Sequence, residues 1–282
     1  LVQAQIAAVS PEPPMDIVDA QVHLGREGHE HILAQMDALG IGGAVLTEFW
    51  GRDEAGRPTP GYQAGDVWRR VTPLSEAAVL SRPDRFTYIA TVDRRDPDLE
   101  SLIAMIASAP AARGLRVMPL PDAEAFADGA YEALFALAQD AQLPVFVVLN
   151  GKAGLLPRYI EKFPRLSVTV DHCGTPWGAG DTRSFNEVLQ LARHPNVALK
   201  WAHAQDQFGV KTYPYEGLFP FLRSAIDAFG AERLMWAGDH SAVVGHSWAE
   251  LLFYLRDSRQ ISAPEKEQIL GGTVRRLLGW PA

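Results

Sequence analysis

Eight short apolar runs recur along this chain, each followed by a stretch with helical spacing, and that alternation leaves few folds open. They are IVDAQVH from Ile17, GAVLTEF from Gly43, RFTYIATV from Arg85, GLRVMPL from Gly114, PVFVVLN from Pro144, LSVTVDH from Leu166, VALKWAH from Val197 and RLMWAGD from Arg233. Between them, segments such as EHILAQMDALG and YEALFALAQDA repeat apolar residues at three- and four-residue intervals, so each can lay one face on a sheet. A strand, a helical crossover and another strand make a parallel pair, and eight such units close a barrel. The expectation is an α/β fold, a single (β/α)8 TIM barrel over residues 16–282, preceded by an extended tail at 1–15 that carries prolines 11, 13 and 14. A C-terminal helical extension, EKEQILGGTVRRLLGW, reads as two short helices separated by Gly271 and Gly272.

Charge and cysteine content narrow the partners. The chain carries 26 basic and 34 acidic residues for a net charge of -8, which repels a phosphate backbone and excludes a nucleic-acid role. One cysteine, Cys173, cannot form an internal disulfide, so a reducing compartment, the cytoplasm, is expected. The stretch from Leu1 to Met15 lacks the basic flank and long apolar run of a signal peptide. No run of roughly 18 apolar residues suggests a membrane span. The expected partner is a small molecule, anionic if the internal cations face it, and homo-oligomerisation stays open.

Polar residues gather at the ends of the apolar runs: Gln21 and His23 on the first, His172 on the sixth, Lys200 on the seventh and Asp239 on the eighth. A fully buried strand gains nothing from an unpaired charge, whose desolvation costs several kcal/mol, so such residues belong at the open mouth. Gln21 and His23 lie two apart and share a strand face, from which they could donate to a developing oxyanion. Asp239 reads as a base that activates water, or as a cap for the following turn; His172 polarises a carbonyl, or bonds backbone at the mouth. Arg116 and Lys200 are isolated cations inside apolar runs, suited to an anionic substrate group or to an internal acid. Glu48 and Trp50 flank Phe49 at the end of the second run, Asn150 follows the fifth and His240 the eighth; each is a candidate substrate contact. Cys173 reads as a buried thiol rather than a nucleophile. Residues 51–72, the longest stretch without a regular pattern, read as a lid or as a disordered insertion.

The segments DAQVHLG, VDHCG, FGAERLMWAGD and GGTVRRLLGW resemble the amidohydrolase-related branch of the amidohydrolase superfamily, over nearly the whole chain after Met15. The resemblance implies a His-x-His pair ending the first strand, a histidine on the fifth in some members, a histidine in a DH-x-G context on the sixth and an aspartate on the eighth. His23, His172 and Asp239 match the second histidine of the pair, the sixth-strand histidine and the eighth-strand aspartate. Gln21 stands where the first histidine would be, and Val148, with Asn150 beyond it, where the fifth-strand histidine often falls. Only His23, His172 and Asp239 then remain as ligands for one zinc or manganese ion. The branch also contains metal-independent lactonases of the pyrone-dicarboxylate lactonase kind, in which these positions serve proton transfer and substrate binding. Three readings follow: a lactone hydrolase without metal or other cofactor, activated by Asp239; a mononuclear metal-dependent amidohydrolase or aromatic-acid decarboxylase; and a barrel that only binds a small ligand.

Overall fold

The computed structural model describes residues 15–176 and 182–281, so the expected tail at 1–15 lies, except for Met15, outside the described residues. All eight apolar runs are strands: β1 Val18–Leu24, β2 Gly43–Glu48, β3 Phe86–Thr91, β4 Ala112–Val117, β5 Val145–Val147, β6 Val168–Val170, β7 Val197–Trp201 and β8 Leu234–Trp236. They hydrogen-bond in chain order and every pair is parallel. A helix follows each strand: α1 Glu30–Leu39, α2 Pro73–Ser81, α3 Leu99–Ser108, α4 Glu132–Asp140, α5 Pro157–Lys162, α6 Thr182–Gln190, α7 Phe219–Phe229 and α8 Trp248–Arg256. The fold is a (β/α)8 TIM barrel. Its seam, between β8 and β1, is sewn by the Asp239 amide on the Gln21 carbonyl at 3.1 Å and by buried Asp19, which accepts from the Gly238 amide at 3.0 Å and from Trp248 Nε1 at 2.8 Å.

Two cores follow from strand alternation. Val18, Ala20, Val45, Ile89, Phe146, Ala198 and Met235 pack inside the barrel, while Val22, Leu46, Phe86, Leu115 and Leu199 face the helices. The inner core is closed from below by Val274, Leu278 and Trp280 of the C-terminal extension. That extension is not two helices parted by glycine: Ala263–Glu267 runs through a π-helical turn, Gln268–Gly272, into Thr273–Leu277. Gly271 is needed for contact rather than for a break, since a Cβ there would lie 2.0 Å from the Asp16 carbonyl oxygen. The extension therefore braces the floor of the barrel, away from the strand ends that carry the polar residues.

The register of β1 shifts between Asp19 and Val22. This irregularity lets the barrel interior receive Ala20 and then, one residue later, Gln21, so that Gln21 and His23 both turn inward above the apolar layer.

Residues 51–72 are neither structureless nor disordered. They form two antiparallel hairpins, Gly51–Arg52 with Pro58–Thr59 and Gly61–Ala64 with Val67–Arg70. The second turns on Gly65–Asp66, with Gly65 at φ 56°, the positive φ that such two-residue turns demand. Trp68 Nε1 donates to the Pro58 carbonyl at 2.6 Å, and Arg69 pairs with Asp98 at 2.7 Å and with Asp96, tying the insertion to the loop after β3. Among the described residues no helix is long and apolar enough to cross a membrane.

Candidate active site

Three residues just beyond strand ends adopt the left-handed region that non-glycine residues avoid: His172 at φ 51°, His203 at φ 54° and Asp239 at φ 46°. Such conformations cost of order 1–3 kcal/mol each and persist where the surroundings enforce them. Here the result is convergence. Asp239 Oδ2 accepts from His203 Nε2 at 2.8 Å, from His172 Nε2 at 3.1 Å and from Gln21 Nε2 at 2.6 Å. Its Oδ1 receives no hydrogen bond among the described residues and lies 3.3 Å from His23 Nε2.

The partners fix the proton positions. A carboxylate only accepts, so His172 and His203 carry their protons on Nε2. His23 is reversed: its Nδ1 is 3.1 Å from the Thr47 carbonyl oxygen, which also only accepts, so the neutral ring presents a lone pair at Nε2. Asp239 Oδ1 and His23 Nε2 are thus two acceptors facing one space. Gln21 is oriented the same way, because Lys200 Nζ donates to Oε1 at 2.8 Å and so turns the amide nitrogen onto Asp239.

Beneath this layer lies a buried charge cluster. Lys200, fully buried, has Nζ 2.7 Å from Asp171 Oδ1, and Arg116 Nε donates to Asp171 Oδ2 at 2.9 Å. Burial opposes the Asp171 charge, but Lys200, Arg116 and His172 hold its carboxyl well below the usual carboxylate range. Asp239 behaves alike: against burial, the hydrogen bonds from His172 and His203 and the neighbouring His23 hold it far below that range. Burial pushes His23, His172 and Lys200 down, so both imidazoles favour the neutral form.

A cavity of about 540 Å³ opens above Asp239. Of the residues singled out from sequence, Gln21, His23, Arg116, His172 and Asp239 line it. Lys200 does not reach it, and its charge is spent on Asp171 and Gln21. Glu48 is elsewhere too: its carboxylate accepts from the Ser75 amide at 2.7 Å and the Leu74 amide at 3.2 Å, capping α2. Trp50 and Asn150 are absent from the lining, and His240 stacks on Trp248 with ring centroids 3.9 Å apart. Burial lowers His240 to about 4. Cys173 is buried and donates to the Ala202 carbonyl at 3.5 Å.

Two members of the site were not singled out. His203 ends the seventh run as His23 and His172 end theirs, so the cue was present in VALKWAH. Asp171 precedes His172 in VDHCG; two internal cations require an internal anion, and it supplies one. The insertion adds Arg52, Pro58 and Arg70 to the cavity wall, and the loop after β8 adds Ser241, Ala242 and Val244.

The donor set also suits a metal ion. Ligand atoms of His172, His203 and Asp239 lie within 4.8 Å of one another, and two imidazoles with a carboxylate are a zinc-type set that leaves room for water. This differs from the set expected from sequence, with His203 in place of His23.

The chain is 30% identical over 183 residues to an L-fucono-1,5-lactonase from Burkholderia ambifaria; the match spans 60% of this chain and 61% of that protein. A Pseudomonas putida protein provisionally named 2-pyrone-4,6-dicarboxylic acid hydrolase shares the fold with a TM-score of 0.73 at 19% identity, over 95% of this chain and 99% of that one. So does a zinc-bound amidohydrolase from Burkholderia multivorans, with a TM-score of 0.73 at 19% identity over 94% and 100%. Residues 18–280 match the family described as amidohydrolase, and the chain belongs to that family.

Proposed function

We propose that the protein is a lactonase in which Asp239 activates water without a metal. The observation that carries this reading is the pair of acceptors, Asp239 Oδ1 and His23 Nε2, that face one space at 3.3 Å beneath the cavity. A water held there gives one hydrogen to each, and its remaining lone pair points toward the cavity. As its oxygen bonds to the acyl carbon, one proton passes to Asp239. The ring C–O bond then breaks, and the ring oxygen takes that proton back from Asp239, which leaves a hydroxy acid and restores the carboxylate. The Nε2–H groups of His172 and His203 are the donors for the oxyanion. When one of them turns from Asp239 to the substrate, the carboxylate loses a hydrogen bond and becomes more basic as the proton arrives. Arg116, Gln21 and the fold of the insertion shape the substrate's seat. The curated relative with lactonase activity supports the acyl-ester bond as target. Turnover of a panel of 1,4- and 1,5-lactones in ¹⁸O-water tests the reading: label is expected in the new carboxylate, and no turnover across the panel rejects it.

A second reading rests on the His172, His203 and Asp239 cluster. These residues would hold one zinc or manganese ion, which when bound supplies an acidified water or a Lewis acid for the carbonyl. Gln21 weighs against it: its amide nitrogen already donates to Asp239 Oδ2, and an amide replaces the imidazole expected there. Loss of activity on chelation and its return with either metal would favour this reading.

A further inference from the structure

The cavity wall carries cationic charge that takes no part in the proton transfers above. Three guanidinium side chains line it: Arg116 from β4, and Arg52 and Arg70 from the insertion. Arg116 has an acid partner, Asp171, which it shares with Lys200. The other two have none. Among the described residues no carboxylate oxygen lies within 4.0 Å of a guanidinium nitrogen of Arg52 or Arg70, although such pairs are common elsewhere on the chain, as with Arg57 and Asp53 next door. Arg52 Nη1 donates to the Gly56 carbonyl at 2.7 Å. Arg70 Nη2 donates to the Glu48 carbonyl, its Cζ sits 5.9 Å from the Phe49 ring centroid, and its Nε, buried, has no hydrogen-bond partner among the described residues.

A guanidinium held in place by a carbonyl and an aromatic face, desolvated and repelled by its neighbours, is preorganised for an anion that the protein itself does not provide. Its environment agrees: burial first, then repulsion from Arg116, pull Arg70 down to about 10 against the attraction of Glu48, with Arg52 adding a smaller repulsion. Glu48, the nearest acid in sequence to that carbonyl, has its carboxylate committed to the Leu74 and Ser75 amides. Lys200, the other cation read from sequence as an anion site, is sealed beneath Gln21.

We infer that Arg70, assisted by Arg52, is the specificity residue of this cavity and seats a carboxylate remote from the scissile ester, so that the substrate is an acidic lactone and the product a dicarboxylate. The inference rests on the lactonase reading and adds the charge of the substrate. Phe49 joins the two ends, its ring centroid 5.9 Å from both the His23 ring and Arg70 Cζ, and with Met118, Leu120 and Val148, which also line the cavity, it fits the ring and carbon body that link such groups. Hydrolysis adds a second negative charge beside Asp239, whose ionised carboxyl repels it, which favours release of the diacid.

The test compares each lactone bearing a carboxylate with its primary amide, the same ring without the charge. Wild-type enzyme is expected to prefer the acid by about tenfold or more in kcat/KM, the size of one charge-assisted hydrogen bond, with the preference lying in KM and shrinking as salt is raised. Arg70→Met is expected to collapse the acid-to-amide ratio toward one, Arg70→Lys to restore part of it, and Arg52→Met to lower it by a smaller factor. Calorimetric binding of the acid and amide to Asp239→Asn reads the same preference without turnover, so a protein that binds the acid selectively but hydrolyses nothing would refute lactonase activity and retain the anion site. Equal affinity for acid and amide in that variant, or an unchanged ratio in both Arg70→Lys and Arg70→Met, would overturn the inference.

Discussion

Replacing Lys200 with Met tests the buried layer on which the site is built. Lys200 is fully buried and makes two polar contacts, 2.7 Å to Asp171 and 2.8 Å to Gln21. Stripping one partner from a buried ion pair costs about 3–5 kcal/mol when the other is left alone, but Arg116 stays on Asp171 at 2.9 Å, so the loss falls below that range. The lost charged hydrogen bond to Gln21 is worth about 1.5–3 kcal/mol, partly offset because Met carries no desolvation cost and packs against Phe146, now 4.7 Å from Nζ. The expected destabilisation is about 2–3 kcal/mol, which for a domain of this size lowers Tm by roughly 4–10 °C. Kinetically, Gln21 loses the donor that orients it and Asp239 loses a fixed partner, so kcat should fall about tenfold while KM stays within about threefold. Thermal melts and steady-state kinetics on one lactone measure both. A variant as stable and as active as wild type, or one whose only defect is a raised KM for acidic substrates, would refute the assignment of Lys200 to the internal network.

His203→Ala should lower kcat by roughly a hundredfold, as expected for an oxyanion donor, and combining it with His172→Ala should cost less than the product of the single effects. Retention of most activity would remove His203 from the chemistry. Glu48→Ala removes the cap on α2 and should cost about 1 kcal/mol in denaturant unfolding with kcat retained; a large loss of kcat would place Glu48 at the reaction instead. Burial lowers both His23 and His172, so the neutral, active forms persist as pH falls past about 6.5, and the acid limb of kcat/KM should lie below that value. The stability contribution of these two histidines declines as pH drops from about 6.5, because the unfolded rings take up protons first, while buried Asp19, raised to about 7, works the other way over the same window. Unfolding free energy falls below about pH 4, where Asp171 and Asp239 lose the benefit of their depressed values. An acid limb above pH 6.5 would contradict the neutral pair.

The barrel was legible because its strands are buried on both faces and its helices on one, which writes two distinct periods into the chain. His23, His172 and Asp239 were legible as polar ends of apolar runs. His203 carried the same cue, for it stands two residues past the end of β7 at φ 54° as His172 stands two past β6 at φ 51°. The insertion, by contrast, was hidden. Its strands are only two to four residues long and pack little apolar surface, leaving Gly65–Asp66 as the sole turn signal of the second hairpin. Lys200 showed as an internal cation, but only the position of Asp171 decides between substrate and internal partner. Glu48 is similar: nothing in the residues around it states that α2 begins where its carboxylate can reach two amides.

In the proposed reaction the carboxylate of Asp239, rather than a metal ion, takes the proton from water. Asp239→Asn keeps the shape but offers only one oxygen, and its amide cannot accept a proton at neutral pH. The measurement is kcat on a responsive lactone for wild type and this variant, each with and without a strong chelator. Chelation is expected to leave wild-type turnover intact while the variant falls by roughly a hundredfold or more in either condition. Silencing of the wild type by chelator, with recovery on adding zinc or manganese, would contradict it.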